Sequence, residues 1–132
     1  MYKEGNWMTK KIGFIALVIL LLAGCGSTSS VNNINTDETS KMIGKKNTVL
    51  IDCRTQEEFE LGHIPGAYLL PLDQLEKNVG DLDKSKTYVV ICRSGNRSTT
   101  FTDSLHSKGF KKVYNVQGGM NAWTEEIVTG MK

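Results

Sequence analysis

Tyr88-Val89-Val90-Ile91-Cys92-Arg93-Ser94-Gly95-Asn96-Arg97-Ser98 holds a strand, a loop and the start of a helix in one stretch. Its first four residues are apolar and mostly β-branched, and the run stops at a cysteine. A run this short, bounded by a polar turn, is a fully buried strand. The loop places Gly95 between Arg93 and Arg97, and residues 98–105 read as a helix. A strand, a cysteine, a tight loop and a helix N-terminus form an anion cradle, because successive backbone N–H groups and the helix dipole converge on one point. A thiol pKa is ordinarily ~8.5 and falls at such a place, so Cys92 is expected as a thiolate. Lowering it by about two units takes roughly 2.7 kcal/mol of preference for the charged form. The dipole and several N–H donors are of that order. The alternative, a small buried cysteine ending a core strand, leaves the Arg-Gly-Arg loop without a purpose.

The same alternation continues on both sides of this stretch. Residues 31–34 read as a first strand, and Asn35 with Glu38 has the form of a capping box opening a helix to about Ile43, stopped by Gly44. Residues 48–52 are a buried strand, 55–61 a short helix ended by Gly62, 67–70 a strand and 72–79 a helix. After the helix at 98–107, closed by Gly109, come a strand at 113–116 and a last helix at 120–127. Strands alternating with helices imply an α/β domain, a parallel sheet covered on both faces. Active sites of such sheets lie at the carboxyl ends of the strands, where both Cys92 and Cys53 fall.

Composition narrows the function. The net charge of +2 comes from the N-terminus: taking Lys3, Lys10, Lys11 and Glu4 away from 16 basic and 14 acidic residues leaves thirteen of each. A neutral domain with dispersed charge has no footprint for nucleic acid. His63 and His106 stand far apart and make no metal-ligand pattern.

Ahead of the domain, Lys10 and Lys11 precede an apolar run at residues 12–23. As a helix that run spans roughly 18 Å, short against a bilayer core of about 30 Å and suited to a signal peptide. It ends in Leu22-Ala23-Gly24-Cys25, which resembles the lipobox of bacterial lipoproteins. The resemblance implies that residues 1–24 are a signal peptide, that Cys25 is lipidated, and that residues 25–30 tether the domain to the extracytoplasmic face of the cell membrane. An uncleaved transmembrane helix is the alternative.

Three motifs in order resemble the rhodanese homology domain: Asp52-Cys53-Arg54 leading through Glu58-Phe59 to Gly62-His63-Ile64-Pro65-Gly66-Ala67, the loop Cys92-Arg93-Ser94-Gly95-Asn96-Arg97, and Gly118-Gly119-Met120-Asn121-Ala122-Trp123. The resemblance covers residues 31–132 and implies a single domain with a five-stranded parallel sheet and helices on both faces. It also implies sulfur transfer without a cofactor or metal. Cys92 would take the outer sulfur of a small donor such as thiosulfate and hand it, from a persulfide, to cyanide or a thiol. Arg93, Ser94, Gly95, Asn96, Arg97 and Ser98 would form the binding loop, their amides holding the anionic sulfur and the two arginines the donor. Phosphatases and arsenate reductases of this fold place five residues between cysteine and arginine; here only four separate Cys92 from Arg97, a ring better sized for sulfur. Rhodanese domains also serve as sulfur carriers or binding modules, so turnover and stoichiometric carriage both stay open.

Cys53 departs from the family, which commonly has valine there. Its strand-end position suggests a reversible disulfide with Cys92, with a redox protein as a further partner; the alternative is a small hydrophobe in the core. The spacing of Arg54 and Glu58 suggests a charge pair across one helical turn. Asp52 is expected to bond backbone of a neighbouring loop, His63 to be satisfied by backbone in its turn, and Trp123 to pack in the core.

Overall fold

The computed structural model describes residues 31–131. The apolar N-terminal run, Cys25 and the tether, with the signal peptide and lipidation expected there, lie outside the described residues.

The chain runs β1 (Asn32–Ile34), α1 (Thr36–Met42), β2 (Thr48–Asp52), α2 (Gln56–Leu61), β3 (Tyr68–Leu69), α3 (Leu75–Asn78), β4 (Thr87–Ile91), α4 (Asn96–Ser107), β5 (Val113–Val116) and α5 (Gly119–Ala122). The strands form one five-stranded sheet in the order β1-β5-β4-β2-β3, every pair parallel. The apolar run at 88–91 is the central strand, and its lack of polar alternation follows from burial on both faces. Val89, Val90 and Ile91 have no exposed surface. Burying each such side chain contributes roughly 1.5–3 kcal/mol relative to exposure.

The pleat sorts the core into two layers. Ile51, Cys53, Tyr88, Val90, Cys92 and Val113 face α3 and α4 through Leu75, Phe101 and Leu105. Leu50, Val89, Ile91 and Val116 face the other way, onto Ile64 and the side of α1 and α5 marked by Met42 and Met120. Helices therefore cover both faces, as expected. Asn35 does cap α1 in a reciprocal box with Glu38, each side chain 2.8 Å from the other's backbone N–H.

Two expected helices are shorter than their sequences suggest. Residues 72–79 form a turn of 3-10 helix, the short α3 and a second 3-10 turn. No side chain caps these turns, and Asn78 and Gly80 are poor helix residues, so the segment stays in tight pieces. The last helix stops at Ala122, because Trp123 is extended and the segment beyond it is drawn to the turn after α2. There the N–H of Val128 donates to the His63 carbonyl at 2.8 Å, and the N–H of His63 donates back at 2.9 Å. Trp123 is half-buried at the edge of the second layer and not in its centre.

Candidate active site

Ile91 ends the central strand, and Cys92 carries the chain into the loop. The helix α4 begins at Asn96, two residues earlier than expected, so Arg97 and Ser98 occupy its first turn. Gly95 is its N-cap residue, at φ 100°, where a side chain would be strained and a Cβ would lie 3.3 Å from the Gly118 amide. This turn aims the α4 N-terminus at the Cys92 sulfur. The Gly95 N–H donates to Sγ at 3.1 Å, and the Ser98 hydroxyl sits 3.3 Å from it.

Cys92 is 1% exposed and belongs to the core layer that also holds Cys53. Its pKa is lowered to about 4. A hydrogen bond from Cys53 contributes most; burial opposes the shift, and the Ser98 hydroxyl, the Ser98 N–H and the Gly95 N–H add to it. The Cys53 thiol is pushed up, first by hydrogen bonding to Cys92 and then by burial. Both shifts favour the charge on Cys92, whose sulfur the Gly95 N–H and the Ser98 hydroxyl face, over Cys53. Of the loop amides expected to hold an anion, that of Gly95 donates to the sulfur itself.

The expected binding residues divide. Gly95 and Ser98 are buried against the sulfur, while Arg93, Ser94 and Asn96 are exposed on the loop's outer surface. Arg97 is half-buried and holds Glu58 with both arms of its guanidinium, at 2.7 and 2.8 Å. This pairing keeps the Glu58 carboxyl down at about 2. It also corrects one expectation: Arg54 does not pair with Glu58, whose partner is Arg97.

Arg54 turns back to Asp52 instead, its guanidinium 2.7 Å from the carboxylate and 2.7 Å from the Gly62 carbonyl. Asp52 has no exposed surface, and a buried carboxylate without a partner is far costlier than an open helix-face pair is favourable. Asp52 thus bonds the side chain and amide of Arg54, not the backbone of a neighbouring loop. His63 is satisfied in its turn as expected, with Nδ1 2.8 Å from the Phe59 carbonyl and its ring stacked on Phe59.

A brace for the loop escaped the sequence reading. The amides of Met120 and Asn121 donate to the carbonyls of Cys92 and Arg93 at 2.8 and 3.0 Å. Gly119 lets α5 come this close, for a Cβ there would stand 2.3 Å from the Cys92 carbonyl oxygen. The Gly118-Gly119 pair was its visible signal. The Thr55-Gln56-Glu57-Glu58 capping box, which fixes Glu58 for Arg97, was another. Beside the loop lies a cleft of about 420 Å³ whose wall includes Cys53, Thr55, Leu72 and Arg97.

A buried strand-end cysteine, faced by a helix N-terminus and followed after four residues by an arginine, defines a cysteine-loop domain on a parallel α/β sheet. The chain belongs to the rhodanese family: residues 35–126 match the Rhodanese-like domain. It is 32% identical over 97 residues to the thiosulfate sulfurtransferase GlpE of Shewanella oneidensis, covering 74% of this chain and 96% of that one. It is 34% identical over 99 residues to a candidate sulfur carrier protein of Bacillus subtilis, covering 74% of this chain and spanning 54% of that longer relative. The crystal structure of a rhodanese-like domain protein from Staphylococcus aureus superposes with a TM-score of 0.69 at 34% identity, covering 76% of this chain and all of that one.

Proposed function

We propose that this domain is a sulfurtransferase that works through a persulfide on Cys92. The Cys92 thiolate attacks the outer sulfur of a thiosulfate-like anion. The sulfur–sulfur bond of the donor breaks, and sulfite leaves with the electron pair. A thiol or cyanide then attacks the outer sulfur of the persulfide, and Cys92 departs as a thiolate. Splitting one transfer into two steps gives ping-pong kinetics. The observation that carries this reading is the Gly95 N–H and Ser98 hydroxyl converging on Sγ at 3.1 and 3.3 Å. The same dipoles stabilise the thiolate that attacks and the thiolate that leaves.

Stoichiometric carriage is the second reading, favoured by the likeness to the candidate sulfur carrier. The reading also includes an anchor: Cys25 lipidated, with the domain on the extracytoplasmic face of the membrane. Metabolic labelling with a fatty acid analogue, lost in Cys25→Ser, tests that part.

The transfer itself is tested by mixing the full chain, in mild detergent, with thiosulfate and no acceptor. One equivalent of sulfite per chain is expected from the wild type and none from Cys92→Ser. Equal release from both, or none from either, refutes the reading.

A further inference from the structure

Cys53 forms and breaks no covalent bond in the sulfur transfer through Cys92, yet the fold sets it beside that cysteine. The N–H of Cys53 donates to the Ile91 carbonyl at 2.9 Å. This continues the parallel ladder Ile51↔Val90, Asp52↔Ile91 by one step, so Cys53 stands opposite Cys92. Both side chains enter the same core layer, and both cysteines are free. Neighbouring strands lie about 4.8 Å apart, inside the ~4.4–6.8 Å Cα separation that a disulfide accepts. Cys53 also forms part of the wall of the 420 Å³ cleft, with Arg97 at its rim. Cys53 is 1% exposed, and it is the member of the pair that the cleft approaches.

We propose that Cys53 is a resolving thiol that discharges the Cys92 persulfide as sulfide. The step rests on the persulfide reading above. The Cys53 sulfur bonds to the inner sulfur, Cys92 Sγ. The bond between Sγ and the outer sulfur breaks, and the outer sulfur leaves with the electron pair. The proton of Cys53 goes with it, so the products are hydrosulfide and a Cys53–Cys92 disulfide. The outer sulfur is reduced by two electrons and the two cysteines together are oxidised by two. The persulfide is itself the oxidant, so none is brought in. A dithiol, small or carried by a redox protein, then reduces the disulfide and is oxidised to its own disulfide. The domain thereby gains a second activity, reduction of sulfane sulfur to sulfide, when a dithiol is present.

The strand register described above suits this step. The Cys53 thiol carries the proton that the outgoing sulfide needs, and the ladder sets it opposite Cys92 in the same core layer. A valine at position 53 would keep the packing and remove the reaction.

The test loads the full chain, reduced and then freed of thiols, with thiosulfate to completion. Sulfite, sulfide and protein mass are read from one sample. The wild type is expected to release one sulfite and then one sulfide, and to end two hydrogens lighter, with a digest joining the Cys53 and Cys92 peptides. Cys53→Val and Cys53→Ala, however slowly they load, are expected to release sulfite without sulfide and to end one sulfur heavier. A wild type that releases sulfite but stays persulfidated overturns the proposal and leaves the transfer reading standing. Sulfide release from the Cys53 variants also overturns it. A wild type that releases no sulfite refutes both. If neither variant loads, the wild-type digest decides alone.

Discussion

Ser98→Ala deletes one hydroxyl, 3.3 Å from the Cys92 sulfur, from a residue with no exposed surface. Little else changes. The one Ser98 hydroxyl proton lies between the Cys92 sulfur and the Gly95 carbonyl, and that carbonyl keeps the N–H and the hydroxyl of Thr99, at 3.1 and 2.7 Å. Alanine favours the first turn of α4 at least as well as serine does. A hydrogen bond to a charged group contributes about 1.5–3 kcal/mol, and one pKa unit corresponds to about 1.4 kcal/mol. The Cys92 pKa should therefore rise by about one to two units from its place near 4. At neutral pH both proteins carry the thiolate, so activity there is a poor probe. The difference opens in acid, where the reactive fraction falls tenfold per unit below the pKa. The assay is the rate of Cys92 alkylation by iodoacetamide, followed by peptide mass from about pH 3 to 8. Two profiles displaced by less than half a unit would refute the claim that the Ser98 hydroxyl donates to the thiolate. A wild-type midpoint near the ordinary ~8.5 would refute the thiolate itself.

Other consequences follow from the same contacts. Arg54→Ala strands the buried Asp52 carboxylate and should cost about 3–5 kcal/mol, read by urea unfolding; a loss within the range of surface changes would contradict the pair's role. Gly119→Ala forces a left-handed φ and drives a Cβ into the Cys92 carbonyl, so it should destabilise by about 1–3 kcal/mol from conformation alone and slow Cys92 alkylation at neutral pH. Unchanged alkylation would show that α5 does not set the loop. Glu58 has a folded pKa of about 2 against an ordinary 4.5, so it contributes stability above 4.5 that is lost as pH falls through 2. Glu58→Gln should lose about 1 kcal/mol or less at neutral pH, for a partly exposed pair, and should flatten the unfolding free energy across that window. A variant that keeps the wild-type acid slope would move the effect to another carboxylate.

The sheet was legible because local chemistry and tertiary environment agree along it. Residues 88–91 are apolar throughout, and both sides of that strand are in fact covered. The cysteine and the helix start were legible for the same reason: a strand end, a glycine and a helix N-terminus need only a few neighbouring residues to define them. What stayed hidden depends on contacts between distant parts of the chain. Arg97 and Glu58 are 39 residues apart, and no periodicity announces their pairing. Arg54 had a plausible partner four residues on, yet the cost of burying Asp52 decided the matter. The segment after Ala122 reads as helix by composition, but the bridge between His63 and Val128 holds it extended. The closeness of Cys53 to Cys92 lies between these cases. Each strand end was legible alone, while the register that sets them opposite each other required the ladder.

The most direct test of the central claim is thiocyanate formation from thiosulfate and cyanide by the full chain under reducing conditions, beside Cys92→Ser. Many equivalents per chain, abolished in the variant, are expected if Cys92 transfers sulfur with turnover. Turnover that survives without Cys92, or a folded wild type that forms no thiocyanate, would contradict the account.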